Sequence, residues 1–250
     1  MKEIVLCDDG KPEVVIPLCK KYNLGIEIQG FYNPTLVSKH DSILENYLAL
    51  LPQGISKYFH APFADLCLAS SAEKIVEATK YYFDYAYKVA KEVGAKRITV
   101  HHGYVPGTSY LPNWIKRANA FWRSYLVGKD IPFDMENLLE YNGEPLAEII
   151  DNISSPYLGI NLDIGHAHCN SKASVVEWIK LLGSRIKYVH LHNNHGERDE
   201  HNGLRNGTID VVEVLNTLNE YAPDAVWALE CCLEEMEDSI LFLKENGFIK

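Results

Sequence analysis

The 250-residue chain has no apolar run near the roughly twenty residues that a membrane-spanning helix needs, so no bilayer span is expected. Its opening, MKEIVLCDDGKPE, sets acids straight after a short apolar run and lacks a signal-peptide core. The cytoplasm is the expected compartment. Cysteines are few: Cys7, Cys19, Cys67, Cys169, Cys231 and Cys232, with no C-x-x-C pair among them. Without a secretory signal, such scatter reads as reduced, buried thiols rather than a disulfide framework. Cationic residues are also in short supply. Lys and Arg number 24 against 34 Asp and Glu, a net charge of −10 with histidine neutral. That balance argues against a broad nucleic-acid surface while leaving a local basic groove open. No G-x-G-x-x-G follows the first strand candidate, which weighs against a doubly wound nucleotide-binding sheet. No linker, low-complexity tract or repeat beyond a βα unit breaks the chain, so one domain over 1–250 is expected.

What is present is regular alternation. Short runs rich in Ile, Val, Tyr and Phe, bounded by Gly, Pro or Asn, occur at 3–8, 25–31, 56–62, 97–103, 132–138, 158–164, 186–194 and 225–230. Amphipathic segments separate them. In AEKIVEATKYYFDYAYKVAKEV (72–93), Ile75, Val76, Tyr82, Phe83, Ala86, Val89, Ala90 and Val93 recur at helical spacing. IDVVEVLNTLNEYA and EEMEDSILFLKENG behave alike, the latter with a glycine stop at Gly247. Eight βα units at this length predict a single (β/α)₈ barrel, α/β in class. The aromatics of YYFDYAY (81–87) are numerous for one core face. They fit either a subunit contact or half-exposed helix packing, the commoner case.

The chain has ten histidines, and nine fall at or just beyond the C-terminal end of a predicted strand. They are His60, His101, His102, His166, His168, His190, His192, His195 and His201; only His40 lies elsewhere. Acids follow the same rule: Glu136 in MEN, Asp163 in NLDIGH, Glu230 in ALE, and Asp199 in the loop VHLHNNHGERDEH. In a (β/α)₈ barrel these ends share one face, where active sites are built. Each residue alone has an ordinary explanation, as a turn cap, a core histidine or an ion-pair partner. Their coincidence at one edge does not, and imidazoles with carboxylates are the ligands a divalent cation takes. Closely set carboxylates would otherwise repel and shift their pKa values.

HAPF, VHHG, MENL, LDIGHAH, VHLHNN, DEHNG and ALE together resemble the xylose isomerase-like TIM-barrel superfamily, also called AP endonuclease family 2. Its members include sugar and sugar-phosphate isomerases and epimerases, and endonuclease IV. The likeness runs over essentially the whole chain. What it implies depends on the branch. The ketose 3-epimerases imply one divalent metal on Glu136, Asp163, His192 and Glu230. Glu136 and Glu230 would then be the catalytic pair, one removing a proton from carbon and the other returning one to the opposite face. The same likeness makes His166 a substrate contact and Arg198 a candidate for another. Endonuclease IV implies nine ligands for three zinc ions. His60, His101 and Glu136 would hold one, Glu136, Asp163, His192 and Glu230 the second, and His166, Asp199 and His201 the third. His190 stands as an alternative to His192, and His102 to His101. The sequence departs from endonuclease IV in a shorter gap from His192 to Asp199, in its first strand, and in lacking an arginine in GFYNPTLVSKH.

Three functions follow. A metal-dependent isomerase or epimerase of a sugar or sugar phosphate is favoured by compact loops, acidic balance and paired glutamates. Phosphoester hydrolysis at a trinuclear zinc site is favoured by the ligand surplus and opposed by the missing basic array that DNA binding requires. A non-catalytic metal barrel ranks last, because structural zinc sites are usually closed Cys/His sets. The mixed nitrogen and oxygen donors favour zinc or manganese, in one to three ions. An oligomer is compatible with the sequence.

Overall fold

The computed structural model describes residues 2–250. Eight parallel strands close into a barrel in sequence order: β1 (Ile4–Cys7), β2 (Gly25–Ile28), β3 (Lys57–His60), β4 (Ile98–His101), β5 (Phe133–Glu136), β6 (Leu158–Asp163), β7 (Ile186–Leu191) and β8 (Val226–Leu229). Pairing of β1 with β8 completes the ring. Around it run α1 (Pro12–Tyr22), α2 (His40–Leu50), α3 (Glu73–Val93), α4 (Leu111–Tyr125), α5 (Glu144–Ile153), α6 (Ile164–Asn170), α7 (Val175–Leu182), α8 (Val211–Tyr221) and α9 (Leu233–Glu245). This is the (β/α)₈ barrel that the alternation predicts. Among the described residues, no helix is long and apolar enough to cross a membrane.

The strands are buried on both faces, which is why they read as near-continuous apolar runs rather than alternating ones. Alternation still sorts their side chains. Ile4 and Leu6 of β1 join the core shared with the helices, whereas Val5 and Cys7 meet Tyr58, Tyr188, Val226 and Ala228 in a separate inner cluster. That cluster packs the barrel interior, and a pocket opens at its C-terminal mouth. All four tryptophans, Trp114, Trp122, Trp178 and Trp227, are buried. The YYFDYAY segment packs as a helix: Phe83 is buried against Trp122 and Phe133, Tyr85 meets His40, and Tyr81 is exposed.

Two local features shape the mouth. The strands stop earlier than the apolar runs suggest: β2 ends at Ile28 and β7 at Leu191. A short helix absent from the sequence expectation, α6, starts directly after β6. Asp163 caps it, accepting a hydrogen bond from the His166 backbone N–H at 2.6 Å. Gly165 lets this turn approach β7, since a Cβ there would overlap the His192 ring. At the other end of the chain Gly247 takes a left-handed φ of 76° just past α9, the expected glycine stop.

Candidate metal centre

Strand register brings the mouth residues together. His101 pairs with Glu136, Glu136 with Asn161, and Asp163 with His190 across adjacent strands. His60 ends β3, and Glu230 follows β8 directly. Asp199 and His201 come from the long loop after β7. Asn193 and Asn202 exchange two backbone hydrogen bonds of 2.9 and 3.0 Å, which pinch that loop and return both side chains to the mouth. His201 takes a left-handed φ of 49° to do so.

Glu136, buried, is the hub. His60 Nε2 lies 3.3 Å from one of its oxygens, and His101 Nε2 lies 3.4 Å from the other. His166 Nδ1 and His190 Nδ1 approach it at 3.4 and 3.5 Å. Asp199 sits between His166 Nε2 at 3.2 Å and His201 Nε2 at 2.8 Å. Donor atoms converge within 4.8 Å of one another in three sets that cover this region: His60–His101–Glu136, Glu136–Asp163–His190–Glu230 and His166–Asp199–His201. Two overlapping sets add Cys7 and Glu27 to His190 and Glu230, and His192 to His201 and Glu230.

Of the two strand-seven candidates, His190 is therefore the one grouped with Glu136, Asp163 and Glu230. The sequence expectation preferred His192 as nearer the strand end. Because β7 stops at Leu191, His190 lies in its last two residues and in register with Asp163. His192 faces Asp163 from beyond the strand, its Nε2 3.1 Å from both carboxylate oxygens and its ring stacked on His201. At the other pair, His101 faces Glu136, whereas buried His102 turns away to Glu140 at 2.7 Å. His168 and His195 bond Thr208 and Glu200, outside the donor sets. Arg198 does not reach the mouth; its side chain is 81% exposed and pairs with Glu200.

Hydrogen bonding behind the rings fixes their orientation. His60, His166 and His201 each donate from Nδ1 to a backbone carbonyl at 2.9 Å, of Ala61, Asn137 and Glu230 respectively. A carbonyl only accepts, so the proton sits on Nδ1, and Nε2 faces Glu136 from His60 and Asp199 from His166 and His201. This is the arrangement that prepares an imidazole to ligate a metal. Two mouth atoms, Glu230 Oε2 and His192 Nδ1, are buried without a hydrogen-bond partner.

The electrostatics are those of opposed charges held in a dry space. Burial pushes the Glu136 carboxyl up, but His101 and His190 outweigh it and hold the group well below the usual carboxylate range. Burial is likewise outweighed at Asp163 by His166 and His192, which bring it to about 2. In the rings burial favours the neutral form, yet Asp163 and Asp199 raise His166, and Glu230 and Glu27 raise His190. Asp199 and Glu230 bring His201 up to about 10. Each acid and imidazole thus asks for a cation between them, met by a proton or by a metal. A pocket of about 550 Å³ opens above, walled by Tyr32, Phe63 and Leu138, with Gln29, His166, Asp199, His201 and Glu230 exposed to it. Among the described residues, none lining it is lysine or arginine.

Sequence reasoning passed over Glu27, Gln29, Asn137 and Asn161. Gln29 donates to Glu230 at 2.6 Å and to Glu27 at 3.1 Å. Asn137 clamps the Asp163 backbone by donating to its carbonyl and accepting from its N–H. A signal existed: Glu27 is a lone acid between Ile26 and Ile28 in a buried strand, and a buried carboxylate needs a partner.

A closed eight-stranded barrel with imidazoles and carboxylates at its C-terminal mouth defines a class of enzyme scaffold. The chain belongs to the xylose isomerase-like TIM-barrel family, whose profile matches residues 25–246. An uncharacterized protein of Methanocaldococcus jannaschii is 33% identical over 183 residues, 68% of this chain and 62% of that protein. The matched region thus spans about three fifths of that relative's length. A probable endonuclease 4 of Mycobacterium leprae is 28% identical over 232 residues, 87% of this chain and 86% of that protein. A crystal structure described as a D-tagatose 3-epimerase-like protein superposes with a TM-score of 0.77 at 26% identity, covering 98% of this chain and 97% of that one.

Proposed function

We propose that the chain is a divalent-metal-dependent isomerase or epimerase acting on a sugar or sugar phosphate. One observation carries the reading. Glu136 and Glu230 share a four-donor set within 4.8 Å and both line one small pocket that has no lysine or arginine in its wall. A polyhydroxylated small molecule fits such a pocket better than a nucleic-acid backbone, which needs cationic side chains. The likeness to a D-tagatose 3-epimerase-like protein supports the same class.

Glu136, Asp163, Glu230 and His190, in the place first given to His192, would hold the ion. The mixed nitrogen and oxygen set suits zinc or manganese. A bound divalent ion supplies polarisation of a substrate carbonyl and its neighbouring hydroxyl. The remaining work belongs to the protein. Glu230 has Oε1 held by Gln29 and Oε2 set 3.0 Å from His190 Nδ1, and in this reading its carboxylate would take a proton from carbon. Glu136 would return a proton to the opposite face. His166 and Gln29 line the pocket and would contact substrate hydroxyls, while Tyr32, Phe63 and Leu138, which also line it, would limit water entry. Arg198 would contribute only if its loop moved.

A second reading is supported by the other two donor sets. His60–His101–Glu136 and His166–Asp199–His201 flank the first and share Glu136 with it or adjoin it. Three ions so placed suit phosphoester hydrolysis, in keeping with the likeness to a probable endonuclease 4. The deciding experiment incubates the metal-loaded protein with a panel of ketoses and ketose phosphates in ²H₂O. Deuterium should enter the carbon beside the carbonyl, and Glu136→Gln and Glu230→Gln should abolish this. Exchange retained in both variants removes the two-glutamate mechanism. No exchange with any sugar, but metal-dependent phosphoester cleavage lost in the Asp199→Ala/His201→Ala double variant, establishes the second reading instead.

A further inference from the structure

Behind the mouth lies a carboxylate that no reading above uses. Glu27 of β2 is fully buried. Both of its oxygens lie 3.1 Å from His190 Nε2. A carboxylate only accepts, so a neutral His190 must carry its proton on Nε2. Nδ1 is then the lone-pair atom, and it faces Glu230 at 3.0 Å, Glu136 at 3.5 Å and Asp163 at 3.8 Å. Asn161 Nδ2, which donates to Nδ1 at 3.2 Å, fits the same tautomer. The orientation is the reverse of that at His60, His166 and His201, where a backbone carbonyl holds Nδ1 and Nε2 faces inward.

Glu27 acts on a second mouth residue as well. The Gln29 side chain bridges Glu27 Oε1 and Glu230 Oε1, so β2 reaches both the β7 and the β8 member of the central set. Burying an acid this deeply costs free energy unless it is paired. Here the pairing falls on His190 directly and reaches Glu230 through Gln29, and the metal reading treats both His190 and Glu230 as ligands.

We infer that Glu27 is a positioning residue for the central metal: it selects the His190 tautomer that presents Nδ1 as the ligand atom and, through Gln29, holds Glu230 in place. The inference rests on the metal reading of the mouth. It predicts that Glu27→Gln, which keeps size and an acceptor but loses the charge, weakens metal binding roughly 10- to 100-fold, the usual effect of removing such a partner. Glu27→Asp should restore part of the loss.

The test is Co²⁺ titration of the full chain against a competing chelator, following the visible absorption of the bound ion. Alongside it, ¹⁵N-histidine NMR of the Zn²⁺-loaded wild type reads the His190 tautomer. The expected results are weaker Co²⁺ binding and an altered visible band in Glu27→Gln, with partial recovery in Glu27→Asp. The zinc-loaded wild type should show metal on His190 Nδ1 and a proton on Nε2. Unchanged affinity and spectrum in Glu27→Gln, or metal on Nε2, would overturn the inference while leaving the metal reading intact. A thiolate-to-cobalt band removed by Cys7→Ser would also overturn it, since Glu27 would then sit in a deeper Cys7–Glu27–His190–Glu230 site as a ligand. Absence of Co²⁺ binding by the wild type would overturn both. Should Glu27→Gln not fold, the wild-type tautomer decides alone.

Discussion

Replacing Glu136 by glutamine removes one charge from the most connected point of the mouth and changes almost nothing in shape. Four imidazoles approach this buried carboxylate within 3.5 Å. Removing one partner of a buried ionic pair costs about 3–5 kcal/mol. At about 1.4 kcal/mol per tenfold, that is roughly two to three and a half orders of magnitude in metal affinity. Because two of the three donor sets contain Glu136, the loss should fall on both, while His166–Asp199–His201 keeps its donors. Zinc titration at fixed free-metal concentration, with elemental analysis of the dialysed protein, measures this. The variant should lose every ion the wild type carries in those two sets. Wild-type stoichiometry with affinity within about threefold would refute the reasoning, because a residue so removed cannot be the shared ligand.

The remaining predictions concern pH, loop, helix turn and core. In metal-free protein His166 and His190 are raised above the ordinary histidine value of about 6.5, and His201 is raised to about 10. Their stabilisation is therefore fully present below about pH 6.5 and is lost as pH rises through the folded values. Metal needs the unprotonated rings, so its affinity should climb over the same window; unfolding temperature without metal and zinc affinity should move oppositely between pH 6.5 and 9, and parallel movement would contradict this. Asp199→Ala with His201→Ala should lower the ion count by at most one and spare the central set, as read by elemental analysis. Gly165→Ala should force its new methyl against the His192 ring and cost about 1–3 kcal/mol in urea unfolding; a neutral effect would show that α6 moves freely. Trp122→Ala, removing a fully buried ring packed on Phe83 and Phe133, should cost about 3–5 kcal/mol by the same measure.

The barrel was legible because its strands are buried on both faces and separated by amphipathic helices, so each apolar run marks one strand. Strand ends were not: the run GIEIQGF extends to Phe31, whereas β2 and its pairing stop at Ile28. The same effect led the sequence reading to prefer His192, whereas the four-donor set contains His190. His190 and His192 share a face only if the strand runs on, and β7 ends between them at Leu191. Helix α6 carries Gly165, His166 and His168 in seven residues and has no apolar stripe to betray it; the Asp163 cap and the contact with His192 hold it instead. Most of the mouth could be read from nine histidines at strand ends. Behind it, Glu27 left a signal as a lone acid in a buried strand, whereas Gln29, Asn137 and Asn161 owe their roles to contacts across strands. The likeness to epimerases made Arg198 a candidate substrate contact, and in the structure its side chain is turned to solvent and pairs with Glu200.

The most direct test of the account is the metal content of wild-type chain purified without a metal-binding tag, with X-ray absorption of the bound ion. The account predicts at least one chelator-removable divalent ion per chain, ligated by imidazole nitrogen and carboxylate oxygen without sulfur. A folded, catalytically active chain that holds no metal, or an ion bound through cysteine, would contradict it.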